Sequence, residues 1–166
     1  MHAEAFAFVQ WAVACYQPHG PVIELGSRDI NGSVRGLFAA CAPPYIGVDL
    51  IAGPGVDVVA DAAAFVPAVK VHTVVCCEVL EHTAEAAAIF AQIGQMIATD
   101  GIVIVTCATT GRAPHSARDG GPLRPGEFYR NCSGAEVATW AAAAGLCGTH
   151  LATTARGDLF YVGFKV

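Results

Sequence analysis

VIELGSRDINGS, residues 22–33, decides the fold: an apolar run carrying Glu24 ends at Gly26 and breaks into a polar turn. Apolar residues closed by a glycine in this way describe a buried strand leading into a nucleotide-binding loop. Two further acids close apolar runs downstream, Asp49 in YIGVDL and Asp61 in VDVVAD. Glu24, Asp49 and Asp61 would then stand along one edge of a parallel sheet, where such sheets bind ligands.

Outward from that stretch the chain alternates between helices and buried strands. Apolar spacing predicts an amphipathic helix over residues 3–16, ended by Pro18 and Gly20, ahead of a first strand at 21–25. Asn31, Gly32 and Ser33 offer an N-cap for a short helix through Ala40, and Pro43 and Pro44 stop it before a second strand at 45–49. Only Leu50 to Gly55 separate that strand from VDVV, too few for a crossover helix, so VDVV is expected as a short edge strand. VHTVVCC (71–77) and IVIVTC (102–107) are continuous β-branched runs of the kind that fill the centre of a parallel sheet, with a helix over 83–98 between them. Residues 108–132 have no periodicity, and irregular segments this long are usually functional. A helix over 134–144 and strands at 147–154 and 158–164, joined through Arg156 and Gly157, complete the chain.

Composition narrows the classes. At 166 residues, 54% apolar and 14% charged, the chain suits one α/β domain over 1–166 with a sizeable core. A net charge of -5 disfavours a nucleic-acid partner, although four basic residues fall between Arg112 and Arg130. The seven cysteines form no CxxC pair and lie mostly in apolar runs, so they are expected as buried thiols in a reducing compartment, without disulfide or zinc. EAFAFVQWAVACY is too short to span a bilayer and carries no basic leader, so no membrane segment and a cytoplasmic location are expected.

VIELGSRDINGS, YIGVDL, VDVVAD, VVCCEVLEHT and GIVIVTCATT, in this order and spacing, resemble the class I S-adenosylmethionine-dependent methyltransferases, in particular the type 11-like set carrying the EVLEH signature. The resemblance covers residues 18–110 by motif. It implies a three-layer sandwich with a Rossmann-like, mostly parallel sheet and an antiparallel C-terminal strand. S-adenosyl-L-methionine is the cofactor it implies. Carried over residue by residue, Glu24 would serve the cofactor's ammonium and Gly26 would let backbone approach its amino-acid end. Asp49 would accept both ribose hydroxyls, since a carboxylate can take two donors at once. Leu50 would pack on adenine, Asp61 and Ala62 would serve the adenine nitrogens, and Cys77 and Glu78 would flank the methionine part. Read without the resemblance, Asp61 is a helix cap, Glu24 pairs with Arg28, and Gly26 is a turn glycine.

Many relatives have glycines two and four residues after Gly26, where this chain has Arg28 and Ile30. A bulkier loop does not suit a pyrophosphate, which argues against an NAD-dependent oxidoreductase. The expected activity is methyl transfer by direct displacement to a small-molecule acceptor, in a monomer or homodimer; the alternative is a non-catalytic cofactor-binding or regulatory protein. His82, His115 and Tyr129 are the candidates for a general base. Glu78, Glu81 and His82 could hold a divalent ion as some relatives do, but acids at a helix N-terminus explain them more simply, and no metal is expected. Residues 111–133 are expected as a substrate lid, with Arg112, Arg118, Arg124 and Arg130 either receiving an anionic group or pairing with neighbours such as Asp119 and Glu127.

Overall fold

The computed structural model describes residues 1–166. In chain order it contains α1 (Ala3–Tyr16), β1 (Val22–Leu25), β2 (Tyr45–Asp49), β3 (Val58–Val59), β4 (Val71–Cys77), α2 (Ala86–Met96), β5 (Ile97–Ala108), α3 (Gly134–Ala143), β6 (Leu146–Thr153) and β7 (Asp158–Lys165). All seven strands belong to one sheet, in the order β3-β2-β1-β4-β5-β7-β6. The pairings from β3 across to β5 are parallel, and β7 runs antiparallel between β5 and β6. The expected three-layer α/β sandwich with a mostly parallel sheet and an antiparallel last strand is what the chain forms, and VDVV supplies the expected edge strand.

Successive strand side chains point to opposite faces, so each central strand feeds two cores. Ile23, Leu25, Val74, Cys76, Val103 and Val105 pack with Ile89, Phe90 and Ile93 of α2 and Val137 of α3. Val22, Val75, Cys77, Ile102 and Ile104 face the other way, against Phe8, Val9 and Ala12 of α1. Both faces are covered, which is why β4 and β5 read as unbroken apolar runs rather than alternating ones. The third helix starts on a capping box, Ser133 Oγ accepting from the Glu136 amide at 3.2 Å while Glu136 accepts from the Ser133 amide at 2.9 Å.

Several boundaries differ from the sequence reading. The short helix expected through Ala40 is a single 3-10 turn, Arg35–Phe38, because Gly32 is drawn back onto Asp29 and Arg35 onto Ser33 by side-chain bonds that favour turns. The helix expected over 83–98 is the shorter α2, Ala86–Met96, and a separate 3-10 turn at Leu80–His82 precedes it. Strand β5 begins at Ile97 rather than 102, bending through Asp100 at φ 63. Cys76, Cys77, Cys107 and Cys132 are buried as expected, whereas Cys15 and Cys147 are exposed. No helix is long and apolar enough to cross a membrane.

Candidate functional site

The sheet order reverses direction between β1 and β4, and a crevice opens at such a point at the carboxyl ends of the strands. The Gly26 and Ser27 amides both donate to the Val48 carbonyl, at 2.8 and 3.1 Å, which turns the chain sharply off β1. Gly26 sits at φ +78, and a Cβ there would overlap Val79, so only glycine brings this loop so close to the end of β4. Asp49 ends β2 with Oδ2 accepting from the Arg28 amide at 3.2 Å and Oδ1 from the Ile51 amide at 3.0 Å. Each oxygen retains acceptor capacity.

These residues wall a cavity of about 290 Å³ that also takes in Leu50, Asp61, Ala62 and Glu78. Six of the eight cofactor-site expectations therefore share one wall: Gly26, Asp49, Leu50, Asp61, Ala62 and Glu78. Asp61 accepts from the Ala63 amide at 2.9 Å, capping the turn that follows β3 rather than the helix expected there. Leu50 and Ile51 are exposed apolar side chains at the rim.

Glu24 and Cys77 stand apart from that wall. Both alternate onto the face covered by α1, where Glu24 is 4% exposed and accepts from the Tyr45 hydroxyl at 2.8 Å, with no contact to Arg28. Burial pushes the Glu24 carboxyl up to about 7, although the Tyr45 bond opposes the shift. Cys77 lines neither cavity, its side chain being buried in the core under α1.

A second chamber, of about 660 Å³, adjoins the first and shares Ile30, Glu78, His82 and Ala117 with it. His2, Asn31, Arg112 and His115 also line it. Glu78 follows β4 in a left-handed conformation, φ 55, an uncommon backbone that clusters at functional sites. Its carboxylate accepts from the Thr106 hydroxyl at 2.8 Å and pairs with His2 at 3.0 Å. Burial would lift its pKa, but the His2 and Thr106 contacts bring it below the ordinary glutamate value; His2 is raised correspondingly by Glu78.

The three base candidates meet across the lid. Ring centroids lie 4.9 Å apart for His82 and His115, 5.5 Å for His82 and Tyr129, and 4.9 Å for His115 and Tyr129. His82 is the one at the seam between the cavities; burial, then the nearby His115, pulls its pKa down to about 4, leaving a neutral imidazole with a buried, unpartnered Nδ1. Burial pushes Tyr129 up to about 12, so it remains a phenol, donating to Asn131 at 3.1 Å. Glu81, His82 and His115 present one potential ligand atom each within 4.8 Å of the others, while Glu78 is turned toward His2 and Thr106. Glu81 is fully buried and accepts from the Ala108 amide at 3.1 Å; burial, reinforced by the charge of Glu78, holds its carboxyl well above the usual range.

The expected lid lies over both cavities, with Ala117, Arg118, Glu127 and Phe128 on the first and residues 112–117 on the second. Its arginines follow the pairing reading: Arg112 binds Asp158 at 2.7 Å, Arg118 meets Glu127 at 3.3 Å, Arg124 pairs with Asp119, and Arg130 binds Glu136 at 2.9 Å. Sequence reasoning missed His2, Val79 and Ile89 as lining residues. His2 and Ile89 carry no local signal, since only the crossing of distant elements brings them to the cavities, whereas Val79 adjoins Glu78 within the quoted EVLEH motif.

Neither a protein-family model nor a curated protein matches this chain. Solved structures do. One similar structure is the Burkholderia thailandensis 1,6-didemethyltoxoflavin-N1-methyltransferase, with bound 1,6-didemethyltoxoflavin and S-adenosylhomocysteine: TM-score 0.72 at 15% identity, over 98% of this chain and 77% of that one. A Clostridium acetobutylicum S-adenosylmethionine-dependent methyltransferase superposes with TM-score 0.73 at 10% identity, over 99% and 92% of the two chains. The Synechocystis magnesium protoporphyrin IX methyltransferase with bound S-adenosylhomocysteine gives TM-score 0.64 at 19% identity, over 98% and 82%. Likeness at these identities speaks for architecture, and the architecture of this chain is the Rossmann-like fold on which those methyltransferases are built.

Proposed function

We propose that this chain is an S-adenosylmethionine-dependent methyltransferase acting on a small polar acceptor. The observation that carries the reading is the pair of adjoining cavities: one walled by Gly26, Asp49, Leu50, Asp61 and Ala62, the other polar, with Glu78 and His82 in the wall between. The donor set suits a nucleoside. Asp49 has spare lone pairs for two ribose hydroxyls, Leu50 and Ile51 offer apolar surface to a base, and Asp61 with Ala62 offers polar groups to adenine nitrogens from the same wall. A dinucleotide is disfavoured because β1 leads into a four-residue 3-10 turn, which presents no long helix N-terminus to a pyrophosphate.

When bound, S-adenosylmethionine would supply a methyl carbon on a sulfonium, open to attack by an acceptor atom as the carbon–sulfur bond breaks and the neutral thioether leaves. The chain's own residues then have three tasks. The end of β2 holds the nucleoside end and the loop after Gly26 the amino-acid end, which aligns the reactants. The lid covers both cavities and excludes water. His82, neutral at physiological pH, offers a lone pair to an acceptor O–H or N–H at the seam.

Asp49→Ala tests the reading. By calorimetry the unsubstituted chain is expected to bind S-adenosylmethionine and not NAD, and the variant to bind at least about tenfold more weakly, the scale of hydrogen bonds to a charged group. Binding of NAD alone, or unchanged affinity in the variant, would redirect the assignment.

A further inference from the structure

We propose that Arg28 is the residue that receives the carboxylate of the bound cofactor, so that the side chain replacing a relative's glycine is a binding group for the amino-acid end. This rests on the cofactor reading above. The cavity that would hold the cofactor is lined by four acids, Asp49, Asp61, Glu78 and Glu127, and by two permanent cations, Arg28 and Arg118. Arg118 is engaged by Glu127. Arg28 has no acidic partner, whereas every other arginine in the chain has one.

The Arg28 guanidinium is also under-satisfied. Nη2 donates to the Ala117 carbonyl at 3.3 Å, a long bond to the lid, and Nε is buried without any partner. A buried donor left unpaired costs free energy that a ligand oxygen would recover. The side chain is built into place rather than swinging free. Its Cγ and Cδ stand 3.0 Å from where a Cβ on Gly53 would be, so the loop after β2 is glycine at the point where the arginine stem passes. The backbone amide of the same residue is fixed to Asp49.

The chemistry of the ligand supplies the complement. The methionine end of the cofactor is a zwitterion next to a sulfonium, so two of its charges are positive and one is negative. Glu78, the acid of that wall not given to the nucleoside or to Arg118, serves the positive charges. The carboxylate has one free cation to meet, and a planar guanidinium is suited to grip it through two parallel bonds.

The test compares S-adenosylmethionine with its decarboxylated analogue, which lacks only the carboxylate, by calorimetry on the full chain and on Arg28→Met. Methionine keeps an apolar stem against Gly53, and a matching thermal melt of the ligand-free variant checks that it folds. The unsubstituted chain is expected to prefer the carboxylated ligand by about tenfold to a hundredfold. Arg28→Met should erase that preference while changing affinity for the decarboxylated ligand less than about threefold; Arg28→Lys, which keeps charge without the fork, should fall between. A preference that survives in Arg28→Met, or an equal loss for both ligands, overturns the role of Arg28 alone. Failure of the unsubstituted chain to bind either ligand removes the cofactor reading itself.

Discussion

Between Val22 and Leu25 neighbouring side chains alternate between the two cores, and this alternation takes Glu24 to the α1 face, beneath Tyr45. A buried carboxyl with one hydrogen bond holds its proton more tightly than the ordinary value of 4.5, here up to about 7. In that interval the folded protein keeps a proton that the unfolded chain has released. Stability from this group is thus complete below about 4.5, declines as pH rises, and is flat above about 7, a loss of up to about 3 kcal/mol. Glu24→Gln keeps an acceptor for Tyr45 and cannot ionise. Urea unfolding between pH 5 and 8 should show the variant gaining on the parent as pH rises; a constant difference would mean that Glu24 is ionised throughout. Asp49 could be placed from the sequence because it ends its strand, where either face opens onto the crevice. Glu24 could not, because its burial depends on which face α1 covers. Arg28 was visible as a departure from a glycine pattern and as a partner for Glu24; its unpaired state is a property of where all the acids lie.

At the scale of elements, the parallel strands were legible because a strand covered on both faces must be apolar throughout. The lid was legible only as an absence of period. What organises it is Glu127, which accepts from Ser116 Oγ at 2.8 Å and from the Arg124 amide at 2.9 Å and pairs with Arg118, fastening residues eleven positions apart. No spacing rule announces such a hub. The lid's two ends are pinned to the sheet, Thr109 donating to Gly157 at 2.8 Å and Cys132 to Ala108 at 2.9 Å. Removing the hub should therefore loosen the middle without unfolding the domain. In Glu127→Ala, trypsin is expected to cut after Arg118 several-fold faster, with the thermal midpoint shifted by no more than a few degrees. An unchanged digestion rate would show that the remaining contacts hold the lid alone.

Over the whole molecule, the functional half and the stabilising hairpin are separate parts of one sheet. The ends of β1 to β4 carry the cavity walled by Gly26 and Asp49, while β6 and β7 complete the other side. The last strand in sequence is an interior one: β7 lies between β5 and β6, pairing with β5 from Ile102 to Ala108. A chain cut after Thr153 lacks a middle strand, and β5 is left with an open, flat, apolar edge of the kind that pairs with other chains. That truncated chain should elute as aggregate in size-exclusion chromatography; a soluble monomer would show that β6 can close directly onto β5. A growing chain passes through the same condition. During synthesis β1 to β5 are all made before β7, so every new molecule carries this sticky edge until β7 emerges from the ribosome.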